Sequence, residues 1–285
     1  MKQIIKKGSF LTLMFMLLGC LSLYAADNDL KTKQVTITLE KAGTLPDRIG
    51  SSEKYEITNL KIIGEINGTD LSMIRWMAGS NFYGNSTDGK LSVLDLSEAK
   101  IVEGGDCYFY DDFEDDYCHT SNDVIGSCAF RGCRGLTSLN LPAGITSIGN
   151  CAFVDCSGLT SITLPAGITS IGFDAFAGCS GLTSIYVYAE KVPEIDRYVF
   201  EGFDAKKCTL YVPMGTRDDY CASDFGNYFE NIVEFDATGI DKTTISTDVE
   251  EVARYSVNGQ RLSAPTKGLN IVKYSDGSLK KVAVQ

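Results

Sequence analysis

A single histidine, His119, stands among 285 residues, so multi-histidine metal centres are excluded, and a serine or cysteine triad would depend on one base in an acidic stretch. No G-x-S-x-G, H-E-x-x-H, phosphate-loop or dinucleotide-binding glycine motif occurs, which removes the usual signatures of hydrolases, zinc peptidases and nucleotide enzymes. Basic residues are also in deficit, 26 against 37 acidic. A surface of that sign repels phosphate backbones, so neither nucleic acid nor a bare anionic membrane is an expected partner. No apolar run reaches the about 20 residues of a membrane-spanning helix. These absences argue for a chain that is not an enzyme, with no cofactor and no metal. A glycan or peptide hydrolase built on a carboxylate pair stays open as a distant alternative, because Asp and Glu are abundant.

The first residues, Met1 to Lys7, are basic, and an apolar run from Phe10 to Tyr24 follows, ending in Ala25-Ala26. That order of segments is a secretory signal peptide over residues 1–26. Within it, Leu17-Leu18-Gly19-Cys20 resembles a lipoprotein box, which would make Cys20 a lipidated N-terminus. The two readings exclude each other. Continuation of the apolar run through Leu21 and Leu23 favours cleavage near Ala25 or Ala26.

Self-similarity settles the architecture. VIGSCAFRGCRGLTSLNLPAGITS from Val124, SIGNCAFVDCSGLTSITLPAGITS from Ser147 and SIGFDAFAGCSGLTSIYV from Ser170 align at a period of 23 residues. Ile125, Ile148 and Ile171 fall in register, as do Phe130, Phe153 and Phe176, and then Leu136, Leu159 and Leu182. Each L-x-x-[LI]-x-[LV] segment alternates apolar with polar positions and predicts a half-buried strand. The Pro-Ala-Gly at Pro142 and again at Pro165 breaks it, since proline offers no amide hydrogen and glycine tolerates a tight turn. One such unit cannot bury its apolar face alone, whereas a stack can. The expected fold is therefore an α/β leucine-rich-repeat solenoid, strand-rich with few short helices.

Weaker strand patterns flank the regular repeats at Ile57–Ile62, Leu91–Leu96 and Cys208–Val212. Between the first two, Thr69 or Asp70 is placed to cap a short helix burying Leu71, Ile74 and Met77, with Trp76 as a packing residue. Residues 27–120 are thus expected to form an irregular repeat or cap region, and 121–235 the solenoid with its C-terminal cap. Residues 236–250 read as a linker. Residues 251–285 carry Asn258-Gly259 and Asp276-Gly277 between alternating segments, hairpin signals of a small all-β module.

The repeat IGxxAFxxCxxLTSIxLPxGITS resembles the repeats of BspA-like leucine-rich-repeat surface antigens of Gram-negative anaerobes. The resemblance is strong over roughly residues 120–190 and looser over NGTD…WMAG…KLSVLDLSEA and TLYVPMGTRDDYCASDFGNYFENIVEFDATGID. The segment ARYSVNGQRLSAPTKGLNIVKYSDGSLKKVAV is similar to a short version of the C-terminal sorting tails of type IX export. The resemblance implies a chain exported to the cell surface, outer membrane or exterior. It also implies adhesion to a host extracellular-matrix or microbial surface protein or glycan. A structural or passenger role without a ligand is the alternative. Membrane attachment is expected only through the lipid or the sorting tail.

Cys133, Cys156 and Cys179 share one repeat position, and Cys128 and Cys151 another. Neighbouring rungs of a ladder lie about 4.7–4.9 Å apart, further than the ~3.8 Å between the Cβ atoms of a disulfide, so buried thiols are expected. Cys107 and Cys118 bracket an insertion outside the period and are expected to pair as a loop disulfide, with Cys208 and Cys221 a weaker second pair. The insertion sets Tyr108, Phe109, Tyr110, Phe113 and Tyr117 among acidic residues, a candidate ligand-binding cluster. The outward strand positions Thr137, Asn140, Thr160, Thr163, Thr183 and Tyr186 form the second candidate surface.

Overall fold

The computed structural model describes residues 34–112, 114–237, 251–256, 261–262, 264, 268–274 and 279–284. The signal peptide, Cys20, Phe113, most of the linker and the two hairpin dipeptides lie outside the described residues.

The principal sheet has eight parallel strands: β1 (Val35–Leu39), β2 (Asn59–Ile66), β3 (Val93–Ile101), β7 (Ser138–Asn140), β9 (Ser161–Leu164), β11 (Ser184–Val187), β13 (Thr209–Pro213) and β14 (Asn231–Phe235), side by side in that order. Register follows the sequence period, with Leu139 opposite Ile162 and Ile162 opposite Ile185. All three are buried. A second parallel ladder is built from two-residue strands, β6 (Val124–Ile125), β8 (Ser147–Ile148), β10 (Ser170–Ile171) and β12 (Glu194–Ile195). The order within the first two turns is therefore short strand, Ala-Phe bend, longer strand, Pro-Ala-Gly bend, and the next two keep the strand–bend–strand order with other residues in one bend or both.

The sequence alignment ends at the third turn, but the stack runs on. Ser170 pairs with Glu194, and Phe200 continues the phenylalanine column, its ring stacked on Phe176 at 5.8 Å. One extra residue before Glu194 hides this turn from a fixed period. Within the column the centroids of Phe130 and Phe153 are 5.4 Å apart, and those of Phe153 and Phe176 5.0 Å, with planes nearly parallel. Cys156 and Cys179 donate their thiol hydrogens to the carbonyls of Phe130 and Phe153 one turn earlier, at 3.1 and 3.0 Å. The buried free thiols of Cys156 and Cys179 are thus part of the inter-turn bonding, and Cys133, equally buried, begins their column.

Close stacking requires glycine at two repeat positions. A Cβ on Gly149 would lie 2.6 Å from Ser127 N, and one on Gly158 would lie 2.4 Å from Arg134 O. Both contacts are with backbone that cannot swing aside. The Gly158→Ala variant is expected to lose about 1–3 kcal/mol, seen as a lower urea midpoint with an unchanged slope.

On the N-terminal side, helix α1 (Leu45–Arg48) and helix α2 (Gly68–Met77) pack against the sheet. Asn67, rather than Thr69 or Asp70, is the N-cap of α2. Its Oδ1 accepts from Thr69 N at 3.1 Å, while Asp70 Oδ2 accepts from Asn67 N at 2.9 Å, a reciprocal capping box. Asp70 is fully buried and also accepts from Leu45 N at 2.8 Å and Gly43 N at 2.5 Å, so one carboxylate holds both helices. Leu71, Ile74 and Met77 are buried as the spacing predicts, and Trp76 is half-buried beneath Lys54 Nζ at 4.7 Å. The insertion folds as an antiparallel hairpin, β4 (Gly104–Asp111) and β5 (Asp116–Thr120). At the C-terminal end α3 (Arg217–Ala222) and α4 (Phe225–Tyr228) cover the last turn, with buried Tyr220 donating to Ala189 O at 2.7 Å.

Residues 251–284 contain a separate four-stranded antiparallel sheet: β15 (Glu251–Ser256), β16 (Arg261–Leu262), β17 (Gly268–Tyr274) and β18 (Leu279–Val284), in the spatial order β16, β15, β17, β18.

Candidate functional site

In the Ala-Phe bends, amide hydrogens of each turn point to carbonyls of the next: Cys128 N to Asn150 O, Phe130 N to Ala152 O, and Gly132 N to Val154 O, at 2.7–2.9 Å. The pattern repeats from Phe153 to Ala175 and from Phe176 to Val199. In the first turn the equivalent carbonyls belong to Ser127, Ala129 and Arg131, and no earlier Ala-Phe bend exists to donate to them. Side chains take its place. Tyr108 Oη donates to Ser127 O at 2.7 Å, and Arg75 Nη1 donates to Ala129 O at 3.0 Å and Cys128 O at 2.7 Å. Arg75 Nη2 and Ser80 Oγ both donate to Arg131 O, at 3.1 and 3.0 Å. Arg75 is fully buried, and its guanidinium carbon lies 4.5 Å from the centre of the Phe109 ring. This cap fixes the hairpin rigidly to the stack.

The five aromatics of the insertion therefore divide. Tyr108 and Phe109 are buried and structural. Tyr110 is half-buried, and Tyr117 is 57% exposed, with 5.2 Å between their ring centres. Phe82 and Tyr83, from the turn after α2, join them: Phe82 lies 6.4 Å from Tyr117, and Tyr83, at 66% exposed, lies 6.3 Å from Tyr110. Tyr110 N donates to Phe82 O at 3.1 Å, which locks that turn onto the hairpin. Asp112, Glu114, Asp115 and Asp116 are exposed around the rings. A hydrogen bond to Asp115, with smaller contributions from burial and nearby charges, pushes the Tyr110 phenol up to about 12. The result is a fixed aromatic patch with an acidic rim.

The second candidate surface is the outer face of the principal sheet. Lys61, Asp95, Asn140, Thr163, Tyr186, Tyr211 and Val233 lie in one register row across seven strands. The row is ionic at one end, where Lys61 Nζ lies 3.5 Å from Asp95. Burial raises the Asp95 pKa, but hydrogen bonds from Ser97 and Asn140 and the charge of Lys61 outweigh it and hold the carboxyl below its usual value. The other end is aromatic: Tyr186 stacks on Tyr211 at 4.4 Å, and Phe235 packs edge-on against Tyr186 and Tyr188. Thr137, Thr160 and Thr183 are exposed, but each hydroxyl donates to the turn before, to Ser92 O, Thr137 O and Thr160 O at 3.0–3.1 Å. Their hydrogens are committed to joining turns.

The hairpin register does not set Cys107 opposite Cys118. Phe109 is the residue opposite Cys118, and both cysteines are free. The Cys118 thiol interacts electrostatically with that of Cys128, which holds its pKa below the usual value. Cys208 and Cys221 are also free, the first buried and the second exposed on α3.

Sequence reasoning missed Arg75, Phe82 and Tyr83. The Asn-Phe-Tyr-Gly turn offered the one visible signal, two large aromatics in an otherwise polar stretch. Among the described residues no helix is long and apolar enough to cross a membrane, and no group of three or more His, Cys, Asp or Glu is arranged to hold a metal ion.

Parallel strands recurring with the repeat, few helices and an inward leucine-isoleucine row define an α/β fold of the leucine-rich-repeat kind. Residues 104–224 match the family model described as BspA type Leucine rich repeat region, in six copies, and over that stretch the chain is similar to those repeats. No curated protein matches the chain.

Proposed function

We propose that this chain is an exported, non-catalytic interaction protein. In this reading a leucine-rich-repeat solenoid displays the patch of Phe82, Tyr83, Tyr110 and Tyr117 to a host extracellular-matrix or microbial surface protein or glycan. The observation that carries this reading is the exposure of Tyr83, on the turn after α2, beside Tyr117 on the hairpin anchored by buried Tyr108 and Phe109. Aromatics held rigid before contact lose little conformational freedom on binding and are typical interface anchors. The sheet row ending in Tyr186 and Tyr211 is the second contact surface, and the signal peptide and sorting-tail-like segment supply the export route.

The test is binding of the purified chain to immobilised matrix proteins and a glycan array. The Tyr83→Ala, Tyr117→Ala double variant is expected to bind about 10-fold more weakly or worse, with an unchanged urea midpoint because both side chains are exposed. Undiminished binding would refute the patch. If the chain binds none of the panel, a display role without a specific ligand is favoured. Export is checked by intact mass of protein recovered from native membranes and medium: a start near Ala26 supports simple cleavage, and a lipidated Cys20 supports a tethered form.

A further inference from the structure

Cys118, Cys128 and Cys151 come from three places in the sequence and meet at one. The hairpin strand β5 carries Cys118, and the Ala-Phe bends of the first and second turns carry Cys128 and Cys151. The Cys128 thiol lies near enough to the thiols of both others to interact electrostatically with each. It also donates to Asp111 Oδ2 at 3.4 Å, while Arg131 Nη1 lies 3.4 Å from Asp111 Oδ1 and 4.0 Å from Cys128 Sγ. Cys128 and Cys151 both have left-handed backbone, at φ 57° and 56°, held by the stacking of the bends. A cleft of about 540 Å³, lined by Asp111, Cys118, Arg131, Cys151 and Asp174, opens this cluster to small solutes. Cys118 and Cys151 are half-buried at its wall, and Cys128 is buried behind them.

We propose that Cys118 and Cys128 are a redox-active dithiol which a low-molecular-weight disulfide oxidises to a Cys118–Cys128 bridge, stapling the hairpin to the first repeat turn. The Cys118 thiolate attacks one sulfur of the disulfide RSSR, forming a mixed disulfide and releasing RS⁻. Cys128 gives its proton to Asp111, and its sulfur then attacks the sulfur of Cys118 and expels the second RS⁻. Two protein thiols and RSSR thus become one protein disulfide and two RSH. Cys118 is suited to the first attack: the hydrogen bond from Cys128 lowers its pKa despite burial. Cys151 is held protonated, chiefly by its hydrogen bond to Cys128 and by burial. Cys128 and Cys151 sit on successive rungs, whose spacing of about 4.8 Å is too wide for an unstrained bridge, so the hairpin cysteine is the partner.

The full chain is incubated natively with oxidised glutathione, quenched with an alkylating agent and mapped without reduction by mass spectrometry. A Cys118–Cys128 linked peptide pair is expected, with Cys151 still alkylated and exposed Cys221 carrying glutathione as an internal control of oxidation. The Cys118→Ser variant should lose the link and leave Cys128 reduced. In the unmodified chain, Cys118 should alkylate about tenfold faster than Cys151 at neutral pH, following its thiolate fraction. A Cys107–Cys118 or Cys128–Cys151 link overturns the proposal, and so does a free Cys118 in a sample where Cys221 has been glutathionylated, or a Cys118 that alkylates no faster than Cys151.

Discussion

Phe153→Ala is expected to destabilise the chain by about 3–5 kcal/mol, read as a fall in urea midpoint by circular dichroism. Phe153 is fully buried and stacks on a ring at each face, Phe130 on one side and Phe176 on the other. Truncation removes its own contacts and uncovers one face of each neighbour. The two halves of the column cannot close over the gap, because the backbone bonds of the Ala-Phe bends fix the distance between turns. Phe130→Ala serves as the comparison. Phe130 ends the column and stacks on one ring, so its loss should cost less than that of Phe153. Equal costs would mean that ring stacking adds nothing beyond burial of each side chain.

Arg75→Met is expected to cost about 3 kcal/mol, because it removes several hydrogen bonds from a charged donor to buried acceptors. Methionine fills much of the same space but donates nothing. It would leave the Ala129 carbonyl without the guanidinium, Cys128 O with only Arg131 N and Arg131 O with only Ser80, and a buried group left unsatisfied costs about 1–3 kcal/mol. Loss should begin at the first turn, so hydrogen exchange at Cys128 to Gly132 is expected to quicken before exchange in the third turn does. Arg75→Lys should recover only part of the loss, since one ammonium cannot span acceptors that the planar fork of arginine reaches together. Uniform acceleration through all turns would show that Arg75 stabilises the stack as a whole and not its first edge.

What the sequence made legible follows from translation along the stack. The isoleucine, phenylalanine, leucine and cysteine columns each recur at one repeat position, so a period in sequence becomes a column in space. The fourth turn escaped because a single added residue before Glu194 breaks the period, although the chain absorbs it in a bend. Arg75 was illegible for a different reason. In the helix pattern it is a polar residue beside an apolar stripe, and only the stacked bends reveal that the first turn has carbonyls lacking donors. The capping residue was misplaced by two or three positions because Asn67, Thr69 and Asp70 are all competent caps, and the buried position of Asp70 decides among them. In the insertion, burial of Tyr108 and Phe109 and exposure of Tyr117 are set by packing on Arg75 and Gly126, contacts that local pattern cannot carry. The committed threonine hydroxyls show the same limit, since an outward position on a strand does not mean an idle one.

The hydroxyl and amide bonds that join Thr137, Thr160 and Thr183 are the same bond repeated, so one turn can follow another with no change in fit. The number of turns is then a free variable, while the cap at Arg75 and the cover by α3 and α4 stay as they are. Each turn added or lost would move the Tyr186–Tyr211 cluster by about 4.8 Å relative to the hairpin patch. The molecule is in this sense a vernier: duplication or deletion of a single repeat resets the spacing between two aromatic contacts in fixed steps and leaves the chemistry of both untouched.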